Sequence, residues 1–428
     1  MVKLKVSKPA VIIFFVLNNL HMSKKVLVVT PRFPLPSVGA CEQDRLEGIK
    51  QLKRMGYDVQ VIGKVFDFQK KDEEKIKAFS KEFGVQIHLV PYIYCQKRRS
   101  LKKIIYYVKR LLWPPYWDGS VYEYANTETL SKMEEVMKNF QPDIVWFDYT
   151  FMLPLYKIAR RYGAKIITHS IIYDPRNILE EDGRTWKNYI SSAFKTFTDW
   201  CCARKSDYMF AIAPDEMKLY QKLGAKKIAL LPLRKLYDYL GKNYEVRDRS
   251  PLNVFFIGSS YNIPHNLRFA KFIIEEIAPM AREKYPNKFK FFITGSKLPE
   301  DLQKKCVGEV SCLGYVEDFE NFLSDMDVAL IPSLSGAGMQ QKIFEPITRG
   351  FPVITSKRGL GGYSFECSKE ILCAVTCDEF VEKLGEALDI DKRKDLSRNA
   401  LAKSAQLFSR EKSDATISMA FTEVENNI

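Results

Sequence analysis

Residues 331–363 read IPSLSGAGMQQKIFEPITRGFPVITSKRGLGGY, and this stretch is the most informative part of the sequence. Its pattern predicts a strand end, a small-residue loop, a helix carrying Lys342 and Glu345, a second strand and another glycine loop. A glycine loop that enters a helix presents free backbone N–H groups and the positive end of the helix dipole, which suit a phosphate. Glu345 suits a sugar hydroxyl, so the stretch predicts a site for a nucleotide that carries both groups.

The composition is that of a folded protein with two domains. The chain has 428 residues, of which 46% are hydrophobic and 28% charged. This length is too great for one ordinary core and suits two domains of roughly 200 residues each. The net charge of +14 leaves nucleic acid, an anionic membrane surface and a polyanionic substrate open as partners, beside a simple bias towards lysine.

The cysteine pattern favours reduced thiols over a metal site or a disulfide framework. The nine cysteines show no zinc-like pairing, and the four histidines do not cluster with them. In a chain of this size the pattern is typical of mostly buried thiols in a cytoplasmic protein.

The N-terminal residues include an apolar run, PAVIIFFVL at 9–17, that follows three lysines. The run resembles the apolar part of a signal peptide, but it is too short to span a membrane, which takes about 20 apolar residues. No small-residue cleavage site follows, and MSKKVLVV at 22–29 looks like the natural start of an α/β protein. We therefore expect residues 1–21 to be an extension that is either not native or a weak membrane anchor.

Short apolar runs separated by helical segments predict two open α/β domains in tandem, each doubly wound and Rossmann-like. The predicted strands are 26–29, 59–62, 86–90, 144–147, 165–168 and 208–212 in the first half, and 253–257, 289–294, 310–313, 328–331 and 352–355 in the second. We expect a first domain over 22–242, a linker over 243–250 and a second domain over 251–408, whose last helix covers roughly 392–408. A helical tail over 409–428 is expected to pack on the first domain. Ligands of such sheets bind at the carboxyl ends of the strands, so the cleft between the domains is the expected site.

Ordered motifs carry a family resemblance along most of the chain. In the second half they are VFFIG (254–258), FFITG (291–295), LGYVED (313–318), GAG (336–338), KIFE (342–345), GFPVI (350–354) and GLGG (359–362). The first half matches more loosely, through its first strand, the proline loop with Gly39, and Thr168–His169. In this order the motifs resemble glycosyltransferases of the GT-B fold, in particular the large retaining family 4.

The resemblance implies that the second domain binds a nucleotide-sugar donor. Gly338 and the amides of Met339 and Gln340 would open the helix towards the diphosphate, and Lys342 would neutralise its charge. Glu345 would hold the ribose and the loop 314–316 the base. For Lys342 and Glu345 the alternative is an ordinary solvated helix face. The donor-binding residues that it implies are Gly258, Ser259, Gly314, Tyr315, Val316, Gly336, Gly338, Met339, Gln340, Lys342 and Glu345.

The first domain would supply the acceptor pocket, and the enzyme would move a sugar to a glycan, glycolipid or polysaccharide with retention. Gly39 would let the backbone approach the diphosphate or the sugar, and a turn glycine is the alternative. His169 would approach the transferred sugar as the catalytic residue, although a lone histidine is more often structural. No metal-binding Asp-x-Asp motif stands out, so we expect neither a metal nor another cofactor, the nucleotide sugar being a substrate.

One departure from the family pattern concerns the transferred sugar. The pattern places an earlier glutamate, which normally contacts that sugar, where this chain has Ala337. Two interpretations stay open: a variant active site, or a catalytically degenerate scaffold that binds a sugar nucleotide or a partner.

A second informative stretch lies at 96–117 and reads QKRRSLKKIIYYVKRLLWPPYW. It contains basic residues and apolar residues at helical spacing, and it contains no acidic residue. It predicts a helix that lies on an anionic membrane surface, as a peripheral protein at the inner face of the membrane would. The candidate contacts are Lys102, Lys103, Lys109, Arg110 and Trp113. The alternative is a core-facing helix with a solvated basic face; nucleic acid is not expected, because no recognised module for it is present.

Overall fold

The computed structural model describes residues 23–37, 39–92, 104–105, 108, 110–240, 242, 244–336 and 338–426. The predicted N-terminal extension and the site candidates Lys102, Lys103 and Lys109 lie outside the described residues, as does Ala337.

The described residues form two parallel β-sheets. The first has seven strands in the order β3-β2-β1-β4-β5-β6-β7 and the second has six in the order β10-β9-β8-β11-β12-β13. The strands are β1 Lys25–Thr30, β2 Asp58–Val65, β3 Gln86–Pro91, β4 Ile144–Asp148, β5 Lys165–Ser170, β6 Tyr208–Ala211, β7 Ile228–Leu230, β8 Leu252–Ser260, β9 Phe289–Ser296, β10 Val310–Gly314, β11 Val328–Ile331, β12 Val353–Thr355 and β13 Leu372–Cys373.

Helices cover both faces of each sheet. They are α1 Ala40–Arg54, α2 Glu73–Phe83, α3 Gly119–Tyr124, α4 Thr127–Phe140, α5 Tyr156–Arg161, α6 Asp174–Glu181, α7 Trp186–Lys205, α8 Pro214–Leu223, α9 Pro264–Phe272, α10 Ala278–Lys284, α11 Glu300–Gln303, α12 Phe319–Ser324, α13 Gln341–Arg349, α14 Cys377–Glu386, α15 Ile390–Phe408 and α16 Arg410–Glu425.

The central strands are apolar throughout because both of their faces are covered. In β1, residues 26–29 are at most 3% exposed, and in β11 residues 328–331 are at most 1% exposed. The strand order reverses between β1 and β4 in the first sheet and between β8 and β11 in the second. These two switch points are where parallel sheets open a crevice at their carboxyl ends. The two predicted Rossmann-like sheets are thus confirmed.

Two short strands were not predicted from the sequence. The strands β7 and β13 contain only the residues IAL and LC, which are too short to show a periodic pattern. Each is an edge strand whose place is fixed by hydrogen bonds to β6 or β12 rather than by its own sequence.

The last helix, α16, packs on the first sheet. Its residues Ile417 and Phe421 are at most 1% exposed and belong to the core cluster that contains Val26 and Trp146. Arg54 on α1 also donates to Asp414 at 3.1 Å. The C-terminal helix therefore ties the end of the chain to its first domain.

The expectation of reduced cysteines is wrong for four of them. Cys306 is bonded to Cys312 and Cys367 to Cys373. Each pair is six residues apart, and a turn between them brings their Cα atoms to 5.9 and 5.4 Å, which is within disulfide range. Sequence spacing alone did not reveal these turns.

A search for membrane-spanning segments found none: no helix among the described residues is both long enough and apolar enough to cross a bilayer.

Candidate functional site

Three contacts bring the glycine loops of the second domain against the first domain. Gly336 N donates to Glu180 at 3.0 Å, and the Gln341 side chain donates to Gln43 at 3.0 Å. Asp215 N, at the start of α8, donates to Gly361 O at 3.1 Å. These contacts lie beyond the carboxyl ends of both sheets, so the predicted cleft is the place where the site residues meet.

The helix that carries the predicted donor residues begins at Gln341, three residues later than the sequence pattern suggested. The Gln340 side chain holds the preceding loop, because it accepts from Ser333 Oγ at 2.9 Å and donates to Ser335 O at 3.2 Å. Among the described residues, nothing accepts a hydrogen bond from the N–H groups of Met339 and Gln340. Two backbone donors thus remain for an anion at the helix entrance.

Lys342 lies in a buried polar chain rather than on a solvated helix face. Its Nζ donates to Asn266 Oδ1 and sits 4.9 Å from the ring centre of Phe269. Asn266 in turn donates to Ser259 Oγ at 3.2 Å, which links the helix to the end of β8. Burial lowers the pKa of Lys342 to about 7, although the nearby Glu181 opposes this shift. An added phosphate would therefore favour the charged form of Lys342.

Glu345 is also buried, with an exposed fraction of 6%. One carboxylate oxygen accepts from Arg349 at 3.0 and 3.1 Å, and the other accepts from Gln341 at 3.0 Å. Arg349 is shared with Glu320, at 2.7 and 2.9 Å. The alternative of an ordinary solvated helix face does not describe Lys342 or Glu345.

The residues predicted to hold the base lie at the end of β10, and the donor candidates Gly258 and Ser259 lie at the end of β8. Tyr315 is 74% exposed and follows Gly314, whose φ of 68° is in the left-handed region. Gly258 is buried inside β8, where a Cβ atom would lie 2.7 Å from Thr294 O. Gly258 thus allows β8 and β9 to pack closely, and Ser259 is the exposed residue beside it.

The first-domain candidates are Gly39 and His169. Gly39 precedes α1 in an extended conformation, and a Cβ atom there would lie 2.5 Å from the flexible end of Glu42. His169 is 0% exposed; its Nδ1 lies 3.4 Å from Arg234 Nη2, and Arg234 is bound to Asp44 at 2.7 Å. Burial, with a contribution from Arg234, lowers the pKa of His169 to about 3, so the ring is neutral.

Sequence reasoning missed an acidic pair at the end of α6. Glu180 accepts from Gly336 N and pairs with Arg358, while Glu181 lies 3.0 Å from His265 Nδ1. No motif marks these residues, because the packing of α6 on the second domain brings them to the site from another part of the chain.

Among the described residues there is no group of three or more His, Cys, Asp and Glu side chains that could hold a metal ion. The expectation of transfer without a metal stays a prediction.

Comparisons with known proteins support the assignment of the fold and the family. Residues 251–389 match the family described as "Glycosyl transferases group 1". Similar solved structures include HepE of Anabaena in complex with UDP and glucose, with 14% identity, a TM-score of 0.61, and coverage of 93% of this chain and 99% of that one. No curated protein sequence matches the chain.

Two further solved structures are also similar over both domains. TarM, from S. aureus, has 12% identity and a TM-score of 0.67, covering 94% of this chain and 99% of its own. A glycosyltransferase from Rickettsia africae has 14% identity and a TM-score of 0.63, covering 95% and 100%. At such identities the structures establish the fold alone, and the family match is confined to residues 251–389, in the second domain. The chain therefore has the GT-B fold, and its residues 251–389 are similar to the group 1 glycosyltransferases.

Proposed function

We propose that the protein transfers a sugar from a nucleotide-sugar donor, with retention, to an acceptor in glycan, glycolipid or polysaccharide assembly. The observation that carries this proposal is the pair of unused N–H groups at Met339 and Gln340, just before the half-buried Lys342 and the buried Glu345. Two donors and a lysine suit a diphosphate, and a carboxylate one turn along suits ribose hydroxyls.

A uridine nucleotide is the first donor to test. HepE has been solved with UDP and with UDP-glucose, and it shares the fold over 93% of this chain. The proposed base contacts at Gly314, Tyr315 and Val316 lie at the carboxyl end of β10, where Tyr315 offers an exposed ring for stacking.

The proposed mechanism relies on the leaving diphosphate. The charged form of Lys342 and the loop amides would stabilise the negative charge that develops as the bond to the sugar breaks. The diphosphate would accept the proton of the attacking hydroxyl on the same face of the sugar. His169 stays a proposed catalytic residue; because its ring is fully buried, contact with a sugar requires the residues that cover it to move.

The proposed acceptor pocket is a cavity of about 340 Å³ in the first domain. It lies at the carboxyl ends of β1, β2 and β4, and it combines aromatic rings with charged groups, which suits a sugar ring and its hydroxyls. Its lining includes Arg32, Glu42, Arg45, Phe66 and Tyr149.

We also propose that the first domain meets an anionic membrane surface as a peripheral protein. Leu111, Leu112 and Trp113 are 76, 74 and 60% exposed, which is unusual for three consecutive large apolar residues. A cavity of about 1270 Å³ opens beside Leu112 and Trp113, and its lining includes Lys157 and Lys205. Apolar residues next to basic ones suit lipid chains and anionic headgroups.

A screen of nucleotides and nucleotide sugars tests the proposed function. Thermal unfolding should shift upwards with the correct donor, since ligand at 100 times Kd stabilises by about 2.7 kcal/mol. Donor hydrolysis, or transfer to lipids and glycans of a lysate, should then be measurable. Binding without any turnover would favour the catalytically degenerate scaffold, for which the absent glutamate at Ala337 is the supporting observation.

A further inference from the structure

We infer that Glu181, from the first domain, supplies the sugar-binding carboxylate that the donor loop lacks at Ala337. The inference rests on the proposed function. In it, the Glu181 carboxylate accepts hydrogen bonds from hydroxyl groups of the transferred sugar. The loop and the glutamate come from different domains, so the complete sugar site exists only when the two domains are in contact.

The end of α6 is fixed directly on the donor loop. Glu180 accepts from the backbone N–H of Gly336 at 3.0 Å, which is the residue before Ala337. Glu180 also pairs with Arg358, on the second glycine-containing turn of the donor domain. These contacts anchor α6, so the side chain that follows Glu180 is held near Gly336.

Glu181 is largely buried, and a hydrogen bond to only one of its two carboxylate oxygens is found among the described residues. Its side chain is 10% exposed, and Oε2 accepts from His265 N at 3.2 Å, at the start of α9. Its Oε1 is buried and, among the described residues, receives no hydrogen bond; the nearest cation, Arg268 Nη2, is 3.7 Å away. A Cβ atom built on Gly336 would lie 3.9 Å from this oxygen, so the unused atom faces the loop.

A buried carboxylate oxygen without a donor is costly, so a ligand that supplies a donor there is favoured. Of the parts of a nucleotide sugar, the diphosphate is repelled by a second carboxylate, whereas the sugar hydroxyls are donors. Lys342 and the amides of Met339 and Gln340 already provide a separate place for the diphosphate. The sugar is therefore the part that Glu181 is placed to bind.

A rival interpretation is a latch. Glu180 and Glu181 bind loop and helix amides that could hold an anion, so they could keep the site closed until a donor displaces them. The two interpretations predict opposite effects of neutralising Glu181. A latch residue competes with every nucleotide, and its loss strengthens the binding of all of them, whereas a sugar ligand affects only nucleotides that carry a sugar.

The test compares E181Q with D182N, since Asp182 is the next residue and is exposed. Titration calorimetry measures Kd for UDP and for UDP-glucose, or for the nucleotide and nucleotide sugar that the wild type prefers in the donor screen. We expect E181Q to weaken binding of the nucleotide sugar about tenfold, as for the loss of one hydrogen bond to a charged group, and to leave the nucleotide within twofold. D182N should change neither.

Three results would overturn the inference: equal weakening of both ligands, no change in either, or tighter binding of both, which would support the latch. If E181Q unfolds at a lower temperature than the wild type, E181D keeps the charge and should retain discrimination between sugars better than E181Q. Failure of the proposed function shows separately, because the wild type itself would then bind no nucleotide sugar of the screen.

Discussion

At the scale of one residue, we expect donor binding to be coupled to the protonation of Lys342. Because burial lowers its pKa to about 7, most of these side chains are neutral at pH 8. A bound diphosphate favours the charged form, so donor binding at pH 8 should take up most of one proton. Calorimetry in buffers of different ionisation enthalpy measures this uptake. K342R stays charged and should bind without uptake; an unchanged uptake in K342R would show that another group is responsible.

Glu345 has both a structural and a proposed binding role. E345Q should raise the KM for the donor about tenfold or more, because ribose hydroxyls lose a charged acceptor. E345A should also lower the free energy of unfolding by about 1–3 kcal/mol, since Arg349 loses one of its two carboxylate partners. The control is E320Q, which removes the other partner of Arg349 on the more exposed side. If E320Q impairs donor use as much as E345Q does, Glu345 acts through Arg349 alone.

At the scale of elements, α16 is a structural part of the first domain. Phe421 is 1% exposed and packs against Tyr57, with ring centres 4.9 Å apart. F421A should lower the free energy of unfolding by about 3–5 kcal/mol because it leaves a cavity under the sheet. M419A, on the 60% exposed face of the same helix, should change it by less than about 0.5 kcal/mol. Urea unfolding measures both; a small effect of F421A would mean that α16 is not needed by the core.

Helix positions were predictable where the chain carries periodic or capping signals. The sequence indicated a last helix over 392–408, and α15 covers Ile390–Phe408 with Asp389 as its N-cap. The start of α13 was misplaced by three residues, because the Gln340 side chain bonds to Ser333 and Ser335 and keeps the loop extended. Such side-chain bonds across a loop leave no periodic trace in the sequence.

At the scale of the whole molecule, membrane association is the property to measure. Replacing Leu111, Leu112 and Trp113 by serine should reduce binding to phosphatidylglycerol vesicles by about tenfold or more, since each buried apolar side chain contributes about 1.5–3 kcal/mol. Replacing Lys102, Lys103, Lys109 and Arg110 by glutamine should also release the protein.

The control for the vesicle experiment is W186S, which removes another exposed tryptophan elsewhere on the first domain; Trp186 is 70% exposed and Trp113 60%. It should bind vesicles as the wild type does. If the wild type does not bind anionic vesicles at all, the membrane proposal is wrong and the basic stretch serves another purpose.

The two parallel sheets were predictable from the sequence, which also predicted a donor site in the second domain. Continuous apolar runs such as VLVV at 26–29 indicate strands that are buried on both faces. Glycines such as Gly336 and Gly338 indicate loops, because their positive φ angles are unfavourable for other residues. The order of the motifs then indicated Lys342 and Glu345.

Which groups Lys342 and Glu345 contact depends on the tertiary structure. The burial that lowers the pKa of Lys342, the pairing of Glu345 with Arg349, and the approach of Glu181 to the loop beside Ala337 all depend on how helices and domains pack. Glu181 lies about 150 residues before the loop that it faces. Only packing between domains brings such distant groups together, and no local pattern in the chain encodes it.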